Sequence, residues 1–72
     1  MRVEKKFINK YVEIRLNLWG SSVVLKGLLK KELERYYYSI EILGPFNRMI
    51  PILFISREIV SIKLIWKALY TL

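Results

Sequence analysis

The chain has 72 residues and contains neither cysteine nor histidine, which excludes disulfide bridges and makes a structural zinc site very unlikely. A domain of this size buries only about 60% of the surface that its unfolded chain exposes, yet 54% of its residues are hydrophobic. We expect self-association to cover the surplus apolar surface. The net charge of +7 favours an anionic partner, either nucleic acid or an acidic membrane surface.

The apolar and charged residues are distributed as in a soluble protein. The longest stretch without a charged side chain is residues 16–25, far shorter than the run of about 20 residues that spans a bilayer. The first seven residues lack the apolar run of a signal peptide. The sequence therefore predicts a cytoplasmic protein without a membrane partner.

The first predicted element is a short amphipathic helix over residues 3–11. Val3, Phe7 and Tyr11 recur every four residues, and the other face is polar. This spacing places the apolar side chains on one stripe of a helix. We expect the helix to pack on one end of the remaining domain.

From residue 12 onward the apolar period changes to two, which is typical of half-buried strands. Gly-rich or charged breaks divide this part into five predicted strands. The central hairpin is the longest feature, and in its second strand the alternation runs through residues 36, 38, 40 and 42. Gly27 interrupts its first strand, where it allows either a sharp bend or the close approach of another backbone. The predicted strands span residues 12–18, 23–30, 36–43, 49–55 and 59–65.

The last two predicted strands are apolar on both faces. Pro51 lies within the fourth strand and lacks an N–H, which predicts an edge strand or a locally interrupted ladder. Such strands are prone to aggregate when exposed, and a ring in which the fourth strand of one subunit pairs with the fifth strand of the next would cover both. The predicted fold is mainly β: one domain over residues 1–72, with a short helix at about 3–11 followed by a five-stranded, strongly bent antiparallel small barrel at about 12–66. The tail, residues 66–72, could extend the last strand or form a short helix.

This arrangement of elements resembles the Sm-like superfamily, which includes the archaeal Sm-like proteins and bacterial Hfq. Gly27-Leu28-Leu29, followed by inward residues 38, 40 and 42, is similar to the first family motif, and residues 54–62 are similar to the closing strand pair. The resemblance covers about residues 7–65. The family's Asp and Asn positions hold Leu33 and Tyr37 here, and its Arg-Gly pair falls on Ile55 and Ser56.

The resemblance implies a homo-oligomeric ring, a hexamer or heptamer, that binds single-stranded RNA where two loops approach a central pore. Planar side chains would stack on bases and cations would contact phosphates. Arg35 falls at the family's base-stacking position. The predicted binding residues are Lys31, Arg35, Tyr37 and Arg57. A second basic surface, on the helix face where Hfq-like proteins bind RNA, would comprise Arg2, Lys5, Lys6 and Lys10.

Other interpretations remain open for the same residues. The tyrosines are strong strand formers, and the charged loop could be a solvated, salt-bridged one. A basic SH3-like barrel that binds duplex DNA, or a structural assembly protein without nucleic acid, would have a similar composition. Catalysis is disfavoured because the chain lacks His, Cys and Asp, and no cofactor or metal is predicted.

Overall fold

The fold is mainly β, with five antiparallel strands in one sheet. The computed structural model describes residues 3–32 and 36–65. The strand order is β4-β3-β2-β1-β5, so consecutive strands from β1 to β4 are neighbours and β5 returns to lie beside β1. The five predicted strands are confirmed, with ends that differ by no more than a few residues. They are β1 (Tyr11–Leu18), β2 (Ser21–Lys31), β3 (Tyr37–Leu43), β4 (Met49–Ile55) and β5 (Ile59–Leu64).

The N-terminal segment does not form the helix predicted over residues 3–11. It contains one 3-10 turn, Lys5–Phe7. An isolated helix of this length is marginal in water, and Asn9 has a left-handed backbone with a φ of 61°, which ends any helical run. The next backbone groups join the sheet instead, since the N–H of Asn9 donates to the carbonyl of Leu29 at 2.8 Å.

β2 is the longest strand and pairs with two different neighbours along its length. It pairs with β1 from Ser21 to Leu28, and with β3 from Leu28 to Lys31. Gly27 lies just before the exchange, and a Cβ atom there would overlap the carbonyl group of Glu41, with its carbonyl carbon only 2.9 Å away. Of the two roles predicted for this glycine, close backbone approach is the one that the structure shows directly.

The core consists of the side chains on one face of the sheet. β1 contributes three fully buried residues, Val12, Ile14 and Leu16, which alternate with polar residues as a period of two requires. Tyr38 and Phe54 stack against each other with ring centroids 6.2 Å apart. The remaining buried apolar residues are Leu29, Ile40 and Ile59.

The opposite face of the sheet is a row of cross-strand charge pairs. Glu13 lies between Lys26 and Lys63, at 3.8 and 3.2 Å, and Lys30 pairs with Glu41. The hydrogen bond from the Lys30 ammonium to Glu41, together with the attraction of the two charges, raises the pKa of Lys30. The lysines of these pairs are exposed and the glutamates partly so, so water screens each pair and it adds little to stability.

β4 and β5 lie at the two edges of the sheet, so its hydrogen bonding is not closed into a barrel among the described residues. The placement of Pro51 on an edge strand is confirmed. β5 contains a bulge, because Arg15 pairs with Ser61 while the next residue of β1, Leu16, pairs with Ile59. Val60 is the extra residue, and a bulge of this kind twists and bends the strand that carries it.

None of the helical turns in residues 3–32 and 36–65 is long and apolar enough to cross a membrane. The alternatives predicted for residues 66–72 lie outside the described residues.

Candidate nucleic-acid interface

An open cleft of about 460 Å³ lies between the loop that precedes β3 and the turn that follows β4. Its volume falls within the range of roughly 300–1,000 Å³ that is common for ligand sites. Two aromatic rings and one guanidinium are the side chains in it that suit an anionic, base-bearing ligand. The lining residues are Tyr36, Tyr37, Ile55, Ser56 and Arg57.

Two hydrogen bonds hold the walls of the cleft in place. The N–H of Ser56 donates to the carbonyl of Tyr36 at 2.9 Å, which joins the two walls directly. The N–H of Ile55 donates to the Glu58 carboxylate, also at 2.9 Å. The second bond shapes the 3-10 turn Ser56–Glu58, so the position of Arg57 is set by a closed local structure.

The floor of the loop is fixed by Glu32. Its N–H donates to the carbonyl of Tyr37 at 3.1 Å, and its carboxylate accepts a hydrogen bond from the hydroxyl of Ser39 at 3.5 Å. Ser39 is the one buried polar side chain in the described part of the chain. Pairing it with the loop carboxylate avoids the cost of an unsatisfied buried hydroxyl.

Tyr36 has an unusual backbone for a bulky residue. Its φ is 77°, in the left-handed region where a β-carbon crowds the backbone. The side chain is 60% exposed and that of Tyr37 is 42% exposed. A bulky residue in such a conformation stores roughly 1–3 kcal/mol of strain, and such strain is concentrated at functional sites.

The structure brings together two of the four predicted binding residues, Tyr37 and Arg57. Lys31 ends β2, opposite Tyr38, and is exposed but is not among the residues that line the cleft. Arg35 lies outside the described residues, as does Leu33.

Tyr36, Ile55 and Ser56 also line the cleft. Tyr36 and Ser56 belong to the two loops predicted to form the site, residues 31–37 and 56–58, but none of the three was singled out as a binding residue. The third strand was predicted to begin at Tyr36, but β3 begins at Tyr37 and Tyr36 is exposed in the loop before it. The alternation that places Tyr38 and Ile40 in the core carries no information on where the strand begins. The run of three tyrosines was the available signal, since three consecutive residues of a strand cannot all face one side.

Three of the four residues predicted for the second basic surface lie in or beside one exposed turn. Lys5 and Lys6 belong to the 3-10 turn and Lys10 follows it, all exposed. Lys6 is engaged by Glu4 at 3.7 Å and lies 5.1 Å from the centre of the Phe7 ring. Arg2 lies outside the described residues. Without the predicted helix, these cations share a turn and not a helix face.

The two sheet edges are exposed and apolar. On β4, Met49, Ile50 and Leu53 are exposed, and on β5 Val60 and Leu64 are. In an antiparallel ladder, the backbone N–H and C=O groups of alternate residues point towards the partner strand. The hydrogen bond from the N–H of Ser56 to the carbonyl of Tyr36 shows which residues of β4 these are. The backbone N–H and C=O groups of residues 49, 51, 53 and 55 of β4 accordingly point away from β3, towards the free edge.

The backbone donors on the free edge of β4 are restricted. Position 51 is a proline and has no N–H, and the N–H of Ile55 already donates to Glu58. Leu53, which is 61% exposed, is left as the edge-facing donor in the middle of the strand. A partner strand could pair with β4 over a short length only.

In the part of the chain that the structure describes, no three acidic side chains gather into a group that could hold a metal ion. Comparison of the chain with family models, with curated proteins and with solved structures found no match.

Proposed function

We propose that this protein is a non-enzymatic, self-assembling protein that binds single-stranded RNA in the cleft between the β2–β3 loop and the β4–β5 turn. The observation that carries the proposal is the convergence of Tyr36, Tyr37 and Arg57, from two separate segments, on one cleft. Two exposed rings and a guanidinium within one cleft are the groups that single-stranded nucleic acid requires.

The chemistry divides between the two walls. The rings of Tyr36 and Tyr37 offer faces on which unpaired bases stack, a contact that is tolerant of base identity. Arg57 offers a planar cation that pairs with phosphate through two parallel hydrogen bonds. The rest of the +7 charge strengthens binding from a distance.

A cleft of this kind favours single strands over duplexes. Bases in a duplex are stacked on each other, and their faces are closed to an aromatic side chain, whereas unpaired bases can be splayed out and stacked. The 2′-hydroxyl is the group by which RNA differs from DNA at such a site.

Self-assembly follows from the apolar edges. The fourth strand of one subunit pairs with the fifth strand of the next, which closes a ring of six or seven Sm-like barrels and buries Leu53 on one edge and Leu64 on the other. Support comes from the exposure of Leu53 and Leu64 at opposite ends of the strand order. The ring repeats the cleft once in each subunit, and a flexible strand that occupies several clefts gains affinity by effective concentration.

The test is a double substitution in the cleft, Tyr37→Ala with Arg57→Ala. Loss of one stacked base is worth about 1–3 kcal/mol, so we expect RNA affinity to fall at least tenfold while light-scattering mass is unchanged. Fluorescence anisotropy with a labelled single-stranded RNA measures the change.

The control is Arg15→Ala, which removes one positive charge from an exposed position on β1 without touching the cleft. It should weaken binding only slightly, in proportion to the charge lost. Equal affinity of the double variant and the unaltered protein would contradict the cleft assignment and direct attention to the surface of Lys5, Lys6 and Lys10.

A further inference from the structure

Two hairpin turns carry aromatic side chains that are almost entirely exposed. Trp19, in the β1–β2 turn, is 98% exposed, and Phe46, in the β3–β4 turn, is 91% exposed. Both residues have a left-handed backbone, with φ of 50° and 60°. Large aromatic residues are unfavourable in that conformation, where Gly and Asn are favoured. Neither the fold nor the RNA cleft explains why aromatic rings occupy these positions.

Phe46 is the tip of a wider apolar patch. Leu43 and Met49 form a direct cross-strand pair at the ends of β3 and β4, and both are exposed, as is Ile50. Arg48 is exposed beside them. We call this group, which consists of Leu43, Phe46, Arg48, Met49 and Ile50, the β3–β4 tip.

The two aromatic turns lie at the same end of the strands. β1 and β3 both run antiparallel to β2, so their C-terminal ends, and the turns that follow them, point in the same direction. The segments that carry the two turns, residues 16–25 and 42–50, contain one charged residue, Arg48.

We infer that the β3–β4 tip, together with Trp19, docks on the surface of an anionic phospholipid membrane. Aromatic rings are favoured at the headgroup level of a bilayer, where one part of the ring is apolar and another is wet. Arg48 would meet lipid phosphate. Neither turn segment contains a carboxylate that an anionic surface would repel or that would have to lose its water. The net charge of +7 draws the whole molecule towards such a surface.

The two other classes of partner fit less well. Nucleic acid requires several cations beside the stacking rings, because phosphate contacts supply most of its affinity, and this end has one. A second copy of the chain would need an enclosed cavity to receive a protruding ring, and the cleft described above is open to solvent. A bilayer interface accepts a convex apolar tip without a preformed cavity.

The inference is independent of the RNA cleft, and it departs from the expectation that the protein has no membrane partner. That expectation rested on the absence of a long apolar run and on the short length of the predicted N-terminal helix. A hairpin tip needs neither, since a few side chains that enter the interface suffice for reversible attachment when a basic surface assists them.

The experiment uses the full chain with Trp66→Phe, which leaves Trp19 as the only tryptophan. Vesicles of phosphatidylcholine with one-third phosphatidylserine are added, in parallel with vesicles of phosphatidylcholine alone. We expect a blue shift of Trp19 emission and quenching by brominated acyl chains with the anionic vesicles only. Raising the salt concentration should weaken this binding, because it screens the attraction of the basic body.

The matched variant is Trp19→Asn with Phe46→Asn, which keeps a residue that tolerates a left-handed backbone at both turns and so preserves the fold. It should sediment with anionic vesicles at least tenfold more weakly than the unaltered chain. The cleft variant, Tyr37→Ala with Arg57→Ala, should bind vesicles as strongly as Arg15→Ala, because each lacks one positive charge and neither changes the β3–β4 tip. Three results would overturn the inference. The double Asn variant could bind vesicles as the unaltered chain does, brominated lipid could fail to quench Trp19, or the double Asn variant could lose affinity for RNA and not for vesicles.

Discussion

Gly27 is the residue on which the path of β2 depends. The carbonyl group of Glu41 lies where a β-carbon would stand, so any other residue forces β3 away from β2. A glycine inside an alternating apolar run is unusual because it weakens a strand, which is why its special role could be predicted from the sequence. The sequence could not show which of the two roles it has, because the approaching backbone belongs to a strand more than ten residues away along the chain.

Gly27→Ala should lower the free energy of unfolding by about 3 kcal/mol, at the upper end of the usual cost of overpacking. A domain of this length is stable by roughly 4–10 kcal/mol, so the variant should retain only about 1–7 kcal/mol and unfold at a clearly lower urea concentration. Urea denaturation followed by circular dichroism measures the loss.

Gly20→Ala is the control for that experiment. Gly20 has a φ of 80° but nothing lies within 4 Å of a β-carbon placed on it, so only backbone strain is introduced, about 1–2 kcal/mol. A larger cost at Gly20 than at Gly27 would show that the approach of Glu41 is not what the glycine serves.

Tyr36 shows what residue-level reasoning from the sequence misses. Its neighbours at positions 38 and 40 are buried as predicted, but the pattern was extended one residue too far into the loop. Tyr37 and Arg57 were predicted as partners through a family resemblance, and both line the cleft. Their contact with RNA remains a prediction.

At the scale of elements, the strands were predictable and the helix was not. Alternation of apolar and polar residues reflects the two faces of a sheet and survives in any strand with a core on one side. The N-terminal pattern suits a helix equally well, but residues 3–11 are too few to support one without a cap. Backbone groups of the sheet offered Asn9 and Lys10 better partners.

The free edge of β4 is the element on which assembly is proposed to depend. Leu53→Lys places a charge at the middle of that edge, where lysine disfavours strand pairing. The side chain is already 61% exposed, so the isolated subunit should lose little stability. We expect light scattering to show a mass of 8.7 kDa for the variant and a multiple of it for the unaltered chain.

Ser22→Lys is the matched control, since it adds the same charge at an exposed position of β2, an inner strand. It should leave the oligomer intact. A monomeric mass for the unaltered chain at high concentration would rule out the ring, and equal masses for both lysine variants would rule out β4 as the interface.

At the scale of the whole molecule, the dominant features are the net positive charge and the separation of the cleft from the β3–β4 tip. The cleft lies beside the start of β3, and the β3–β4 tip lies at the other end of that strand. A basic body with two separate binding ends could hold RNA at one end and a membrane surface at the other. Net charge was predictable from composition, whereas the separation of the two ends depends on strand direction.

Competition between nucleic acids tests the cleft at this scale. Duplex DNA offers more charge than a single strand but no unstacked base, so we expect it to displace labelled single-stranded RNA at least tenfold more weakly than unlabelled RNA of the same length. The titration is run at one fixed salt concentration because both binding modes release counterions. Equal or better displacement by the duplex would favour a duplex-binding barrel.

Pro51 has a further consequence for the resistance of the chain to aggregation in solution. The β4 sequence, Met49–Ile55, is apolar at nearly every position, and an uninterrupted segment of that kind can stack on copies of itself into an amyloid spine. Every strand in such a spine must donate and accept along its whole length, and Pro51 removes a donor from the middle of the row. The same edge that is available for a short, ordered contact is therefore a poor template for a fibril.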